Sequence, residues 1–111
     1  MDELFYAEGH QRKVIVDYGL CLLNFSQCLS MQKKYQEAVE IIDKACQYYH
    51  VFPKLYNLSQ LIKGMNLIYN DSKSGVKLIE DSLINLEKLE KPVSKKSSII
   101  LIEEAKKLLE S

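Results

Sequence analysis

Apolar residues recur along this chain in steps of three and four. Val14, Tyr18, Cys21, Phe25 and Cys28 follow steps of 4, 3, 4 and 3, the spacing that lines one face of an α-helix. Leu22 and Leu29 widen that face. Tyr35, Ala38, Ile42, Ala45 and Tyr49 form a second stripe, and Leu55, Leu58, Ile62, Met65 and Tyr69 a third. Val76, Ile79, Leu83 and Leu86 form a fourth, and Ile102, Ala105 and Leu109 a fifth. No segment sustains the alternation of a half-buried strand. The pattern predicts an all-α fold of about five antiparallel helices, with two helix pairs and a C-terminal capping helix in a single domain over 1–111. One end of the array is expected to be covered by the fifth helix and the other by Met1–Gly9 or a second chain.

The punctuation agrees. Pro53 suits the first turn of the third helix, where a missing N–H costs nothing. Asn70-Asp71-Ser72 reads as a turn that also caps the fourth helix. Pro92 should end that helix near Lys91. Gly9 and Gly19 weaken the first helix, with an interruption expected at Gly9.

Two segments align as repeats, Leu22–Ala45 and Ile62–Ser82. Ser26 lies over Gly64 at a step of 38 and Ala38 over Gly75 at a step of 37, the difference falling in the turn between paired helices. A small residue therefore recurs where two helices cross closely and bulk is excluded.

Leu22-x-Asn24-Phe25-Ser26-x-x-Leu29, followed by Tyr35-x-x-Ala38-x-x-x-Ile42-x-x-Ala45, resembles one tetratricopeptide repeat. Leu22, Ser26 and Leu29 stand where that family carries Trp, Gly and Tyr, and His50 stands where it closes with Pro. The second unit keeps Gly64 and carries Gly75, Ile79 and Ser82 in place of the second-helix Ala, Phe and Ala. More narrowly, Lys63-Gly64-x-x-x-Ile68-Tyr69 and Gly75-Val76-Lys77-Leu78-Ile79-Glu80-x-Ser82-Leu83 are similar to the C-terminal repeats of Gram-positive peptide-pheromone regulators of the Rgg and PlcR kind. That resemblance implies a non-catalytic domain that binds a short peptide or protein segment and forms a homodimer. It would be a C-terminal fragment of such a regulator, whose N-terminal helix-turn-helix domain is not in this sequence, or a stand-alone relative. The alternative is a general repeat scaffold for protein assembly.

In a tetratricopeptide array the first helix of each pair lines a concave groove. The resemblance places Asn24 where a bound peptide's backbone is often held, with Gln27 and Met31 following on the same face. Leu61, Met65, Ile68 and Tyr69 are the counterparts in the second unit. An amide among adaptable apolar side chains suits an extended peptide.

Composition narrows the field. The 111 residues carry 15 Lys+Arg and 15 Asp+Glu, a net charge of +0. Direct nucleic-acid contact, which needs an excess of Lys and Arg, is not expected. Met1-Asp2-Glu3 is acidic where a signal peptide is basic. The run Ile99–Ile102 is far short of the roughly 20 apolar residues that span a bilayer, so no membrane partner is expected. Cys21, Cys28 and Cys46 are an odd set without a Cys-x-x-Cys pair; they read as buried small hydrophobes of a cytoplasmic protein. His10 and His50 have no ligand companions, so no metal or cofactor is expected. Glu40–Lys44 and Glu103–Lys107 are i,i+4 pairs of a solvated helix face rather than acid–base machinery, and no enzymatic activity is expected. Three Asn-x-Ser triplets, at Asn24, Asn57 and Asn70, read as chance matches.

Overall fold

The computed structural model describes residues 8–89 and 93–110. Five helices follow one another, α1 Glu8–Met31, α2 Tyr35–Tyr49, α3 Pro53–Tyr69, α4 Ser74–Glu87 and α5 Lys96–Glu110, and no strand occurs among the described residues. The all-α class with five helices is thus the observed one. α1 packs on α2, α2 on α3, α3 on α4, and α5 on both α3 and α4. Short turns and extensive packing make α1 to α4 successively antiparallel, so α1 and α3 share one direction.

The two hairpins are built alike. α1 ends in a turn where the Lys34 N–H donates to the Leu29 carbonyl at 2.9 Å and the Lys33 N–H to the Ser30 carbonyl at 2.9 Å. The same pair of bonds closes α3, 38 residues further on: Ser72 N–H to Leu67 O at 2.8 Å and Asp71 N–H to Ile68 O at 2.9 Å. This 6→1 and 5→2 pattern requires a left-handed residue at the helix exit. Lys33 and Asp71 supply it, with φ of 63° and 61°. After the turn the offset falls to 37. Ala38, Ile42, Ala45 and Tyr49 are buried in α2, and Gly75, Ile79, Ser82 and Leu86 in α4.

The crossings of each hairpin use small residues. In α1–α2 these are Ser26 and Ala38, both buried. In α3–α4 the backbones of Gly64 and Gly75 meet. A Cβ on Gly64 would stand 2.7 Å from Ile79 Cγ1, and one on Gly75 would overlap the Gly64 carbonyl oxygen. The main apolar core gathers Leu58, Leu61 and Met65 of α3, Ile79 and Leu86 of α4, and Ala105 of α5, with Ile102 and Leu109 packed against it. Pro53 opens α3 as its first residue, behind an extended Phe52, as the steric clash before proline demands.

Several expectations are corrected. Helix α1 runs through Gly9 without interruption. Gly19 is a packing slot, its Cα covered by the ring of Tyr49. The stripe expected to be α1's buried face is exposed: Val14, Tyr18 and Phe25 are 48%, 47% and 51% accessible, and Cys21 and Cys28 are also exposed. Only Cys46 is a buried thiol. The face of α1 that packs on α2 is instead the one carrying Gly19, Ser26 and Leu29, where small residues permit close approach. Asp71 does not cap α4, which starts after Lys73 without a side-chain cap bond; Asp71 is committed to the left-handed turn. Helix α4 ends at Glu87, and Pro92 lies outside the described residues, as does the cover expected from residues 1–7. Arg12–Met31 of α1 has the length and apolar composition of a membrane-crossing helix, a property of the whole helix that the short Ile99–Ile102 run did not reveal.

Candidate functional site: a groove between three helices

α1, α3 and α5 enclose a groove of about 670 Å³. Val16, Leu20, Leu23, Asn24, Gln27 and Ser30 form the α1 wall. Leu55, Leu58, Ile62, Met65 and Asn66 of α3 form the floor, and Ile100, Leu101 and Glu104 of α5 the opposite wall. α1 reaches α3 chiefly through α2, which leaves the space between α1 and α5 open above α3.

Lys54 and Tyr69 stand at opposite ends of α3, Lys95 immediately precedes α5, and Glu104 lies in the second half of α5. Burial, and after it the neighbouring Glu104 charge and Tyr35, push the Tyr69 phenol up from its ordinary value. Its ring packs on Tyr35, centroids 5.6 Å apart. Tyr69 therefore stays a neutral hydroxyl at neutral pH.

The amide side chains of the groove are Asn24, Gln27 and Asn66. Asn24 and Gln27 are exposed on the α1 wall. Asn66 is 4% accessible; its Nδ2 donates to the Ile62 carbonyl at 3.0 Å, while its Oδ1 is buried without a hydrogen-bond partner. A buried carbonyl oxygen left unpaired costs about 1–3 kcal/mol. The other buried asparagine shows the contrast: Asn57 donates to the Pro53 carbonyl at 2.8 Å and accepts from Asn85 at 3.2 Å.

Of the residues expected to line a binding groove, Asn24, Gln27, Met65 and Tyr69 do so. Leu61 does not: it is fully buried in the core formed with Ile79, Leu86 and Ala105. Ile68 turns to the α3–α4 crossing, where its Cγ1 occupies the space beside Gly75. Met31 is the last residue of α1 and stands 78% exposed, clear of the groove. Asn66, Lys54, Lys95 and Glu104 were not singled out from the sequence. Asn66 carried a signal, a polar residue beside Met65 within an apolar helix; the others depend on where α5 docks.

Among the described residues no three His, Cys, Asp or Glu side chains converge as a metal site would require. The Cys46 thiol is pushed up to about 11, chiefly by burial and then by Asp43, and lies far from the reactive thiolate range. The groove offers amides, a phenol and a carboxylate around an apolar floor, an arrangement suited to holding an extended chain. The sequence matches no family model, no curated protein and no solved structure.

Proposed function

We propose that this is a non-catalytic, tetratricopeptide-like domain whose α1–α3–α5 groove binds a short extended peptide or protein segment. The observation that carries this reading is the groove of about 670 Å³ with amides on two of its sides, Asn24 and Gln27 of α1 and Asn66 of α3. An extended backbone presents one N–H and one C=O per residue to such groups. Asn24 and Gln27 on the facing wall can both donate and accept. From Lys54 to Tyr69, α3 runs roughly 22 Å at about 1.5 Å per residue, room for six or seven extended residues at about 3.3 Å each. The two hairpins with matching turns and crossings support the repeat reading. The resemblance of Lys63–Leu83 supports a place as the regulatory part of a peptide-responsive transcriptional regulator. Three free thiols suit the reducing cytoplasm.

The test is selection of binders from a random heptapeptide library on the intact chain, followed by calorimetric titration of a selected peptide. Asn24→Ala and Asn66→Ala should each weaken binding roughly 5- to 150-fold, the equivalent of an unpaired backbone group at about 1–3 kcal/mol. Lys106→Ala, on the exposed side of α5, should leave it unchanged. Unchanged affinity in both asparagine variants would remove the peptide from this groove.

A further inference from the structure

Lys54 lines the groove in the first turn of α3 and Tyr69 at its last residue, roughly 22 Å further on at about 1.5 Å per residue. Glu104 of α5 lines it too, and its carboxylate lies near enough to Tyr69 to bear on the phenol. The two charges therefore stand at opposite ends. The ion pairs Lys13–Asp17, Lys63–Asp43 and Lys77–Asp81 lie elsewhere, and among the described residues neither Lys54 nor Glu104 has an ion-pair partner. We propose that the groove selects an extended segment of opposite charge at its two ends, with an anionic group beside Lys54 and a cationic group beside Glu104.

The Lys54 end favours an anion. Arg12 of α1 lies over the Phe52 ring, 5.3 Å from its centroid, and Phe52 immediately precedes α3. A stacked guanidinium keeps the N–H donors at its edge available, and Arg12 is exposed. α3 begins there without a side-chain cap bond, so the positive end of its dipole adds to the two cations.

The Tyr69 end favours a cation. The Tyr69 and Tyr35 rings pack with centroids 5.6 Å apart beside Glu104, and a ring face attracts a cation within about 6 Å. Carboxylate and rings together suit an ammonium or a guanidinium. Lys33 and Lys34 occupy the α1–α2 turn at this end but do not line the groove. Lys95 lines it, but nine positions before Glu104 it stands roughly 14 Å away along the helix, beyond pairing distance.

The ends act independently, because roughly 22 Å exceeds the Debye length of about 8 Å at physiological salt. Six or seven extended residues cover the distance at about 3.3 Å each. A free peptide offers the required pair in its two termini, and a longer segment offers it in an acidic and a basic side chain. The shared chemistry is a carboxylate at one end and an ammonium or guanidinium at the other.

This selectivity rests on peptide binding in the groove, and the test separates the two. A heptapeptide selected on the intact chain keeps its five central residues, is blocked at both termini and carries Lys–Asp, Asp–Lys, Asp–Asp or Lys–Lys at its outer positions. In calorimetric titration one mixed order should bind about fivefold tighter than either like-charged peptide, near the upper value for a partly exposed ion pair. It should bind roughly 25-fold tighter than the reversed order, since independent ends add. Lys54→Glu should favour the Lys–Lys peptide over the Asp–Asp one, and Glu104→Lys the reverse, both with an unchanged helical circular-dichroism signal. A fifth peptide with free termini and alanine at both outer positions separates the sources. A gain over its blocked form assigns the charges to the termini, and no gain assigns them to side chains. Equal affinity of the four charged peptides, while Asn24→Ala still weakens binding, would overturn the proposal and leave peptide binding intact. A selected peptide indifferent to Asn24→Ala, or a library without binders, would overturn both.

Discussion

The ring of Tyr49 lies directly on Gly19. Its hydroxyl passes that position to donate to the Val16 carbonyl at 2.7 Å. The glycine thus exchanges helix propensity for a flat seat that lets α2 approach α1. In an exposed helix interior, Gly→Ala stabilises by roughly 1 kcal/mol. Here the added methyl would overlap the ring, and overpacking of this kind costs about 1–3 kcal/mol. Gly19→Ala should therefore lower the melting temperature in a circular-dichroism scan, the reverse of the propensity expectation.

The same tyrosine makes the fold sensitive to alkali. A tyrosine in an unfolded chain ionises near pH 10, whereas burial pushes Tyr49 up to about 12. The folded state holds the proton more tightly, so this contribution is complete below pH 10 and is lost as pH rises from about 10 to 12. At about 1.4 kcal/mol per pH unit the loss is on the order of 2–3 kcal/mol. Urea titrations at pH 7, 10 and 11.5 should show a steeper alkaline decline for the native chain than for Tyr49→Phe. At neutral pH that variant should be less stable by about 1 kcal/mol, the value of the lost hydrogen bond.

Two side chains bear left-handed backbone at the helix exits. For an L-residue this costs roughly 1–2 kcal/mol, and glycine avoids it at some cost in unfolded-chain entropy. Lys33→Gly and Asp71→Gly should both raise the denaturation midpoint, Lys33→Gly by about 0.5–1 kcal/mol and Asp71→Gly by less, since aspartate tolerates this conformation better. Equal destabilisation by both would contradict the shared turn geometry.

Asn66 should show opposed effects on stability and binding. Replacing it with leucine removes the unpaired Oδ1 together with the Nδ2 bond to Ile62, so both halves of the polar group go at once. Such exchanges are near neutral or stabilising. Asn66→Leu should therefore melt at or above the native temperature while losing affinity for a selected peptide. A drop of several degrees would show that the amide is needed for the fold itself.

Much of the architecture was legible because α2 and α4 are amphipathic in the ordinary way: Ala38, Ile42, Ala45 and Tyr49 repeat as Gly75, Ile79, Ser82 and Leu86, and all are buried. Helix α1 misled because it is apolar on three sides. Its most regular stripe, Val14 to Cys28, is the outward one, whereas the packing face relies on Gly19 and Ser26, which hydrophobicity does not mark. In the groove, Asn24, Gln27, Met65 and Tyr69 were readable from their register in the repeat. Leu61 and Ile68 share that register but are claimed by α4 and α5, and the contributions of Lys95 and Glu104 depend on the docking angle of α5.

Because α1 to α4 pack chiefly on their neighbours in the chain, and α5 folds back only as far as α3, few contacts require long loop closure. Topologies of this kind fold in microseconds to milliseconds, and their stability is graded along the chain rather than all-or-none. α1 is held to the rest of the molecule chiefly through α2, with Arg12 lying over the Phe52 ring of the α2–α3 turn at 5.3 Å. The α3–α4–α5 core is closed on its own residues, so the width of the groove is set by the α2–α3 contact that carries the first hairpin.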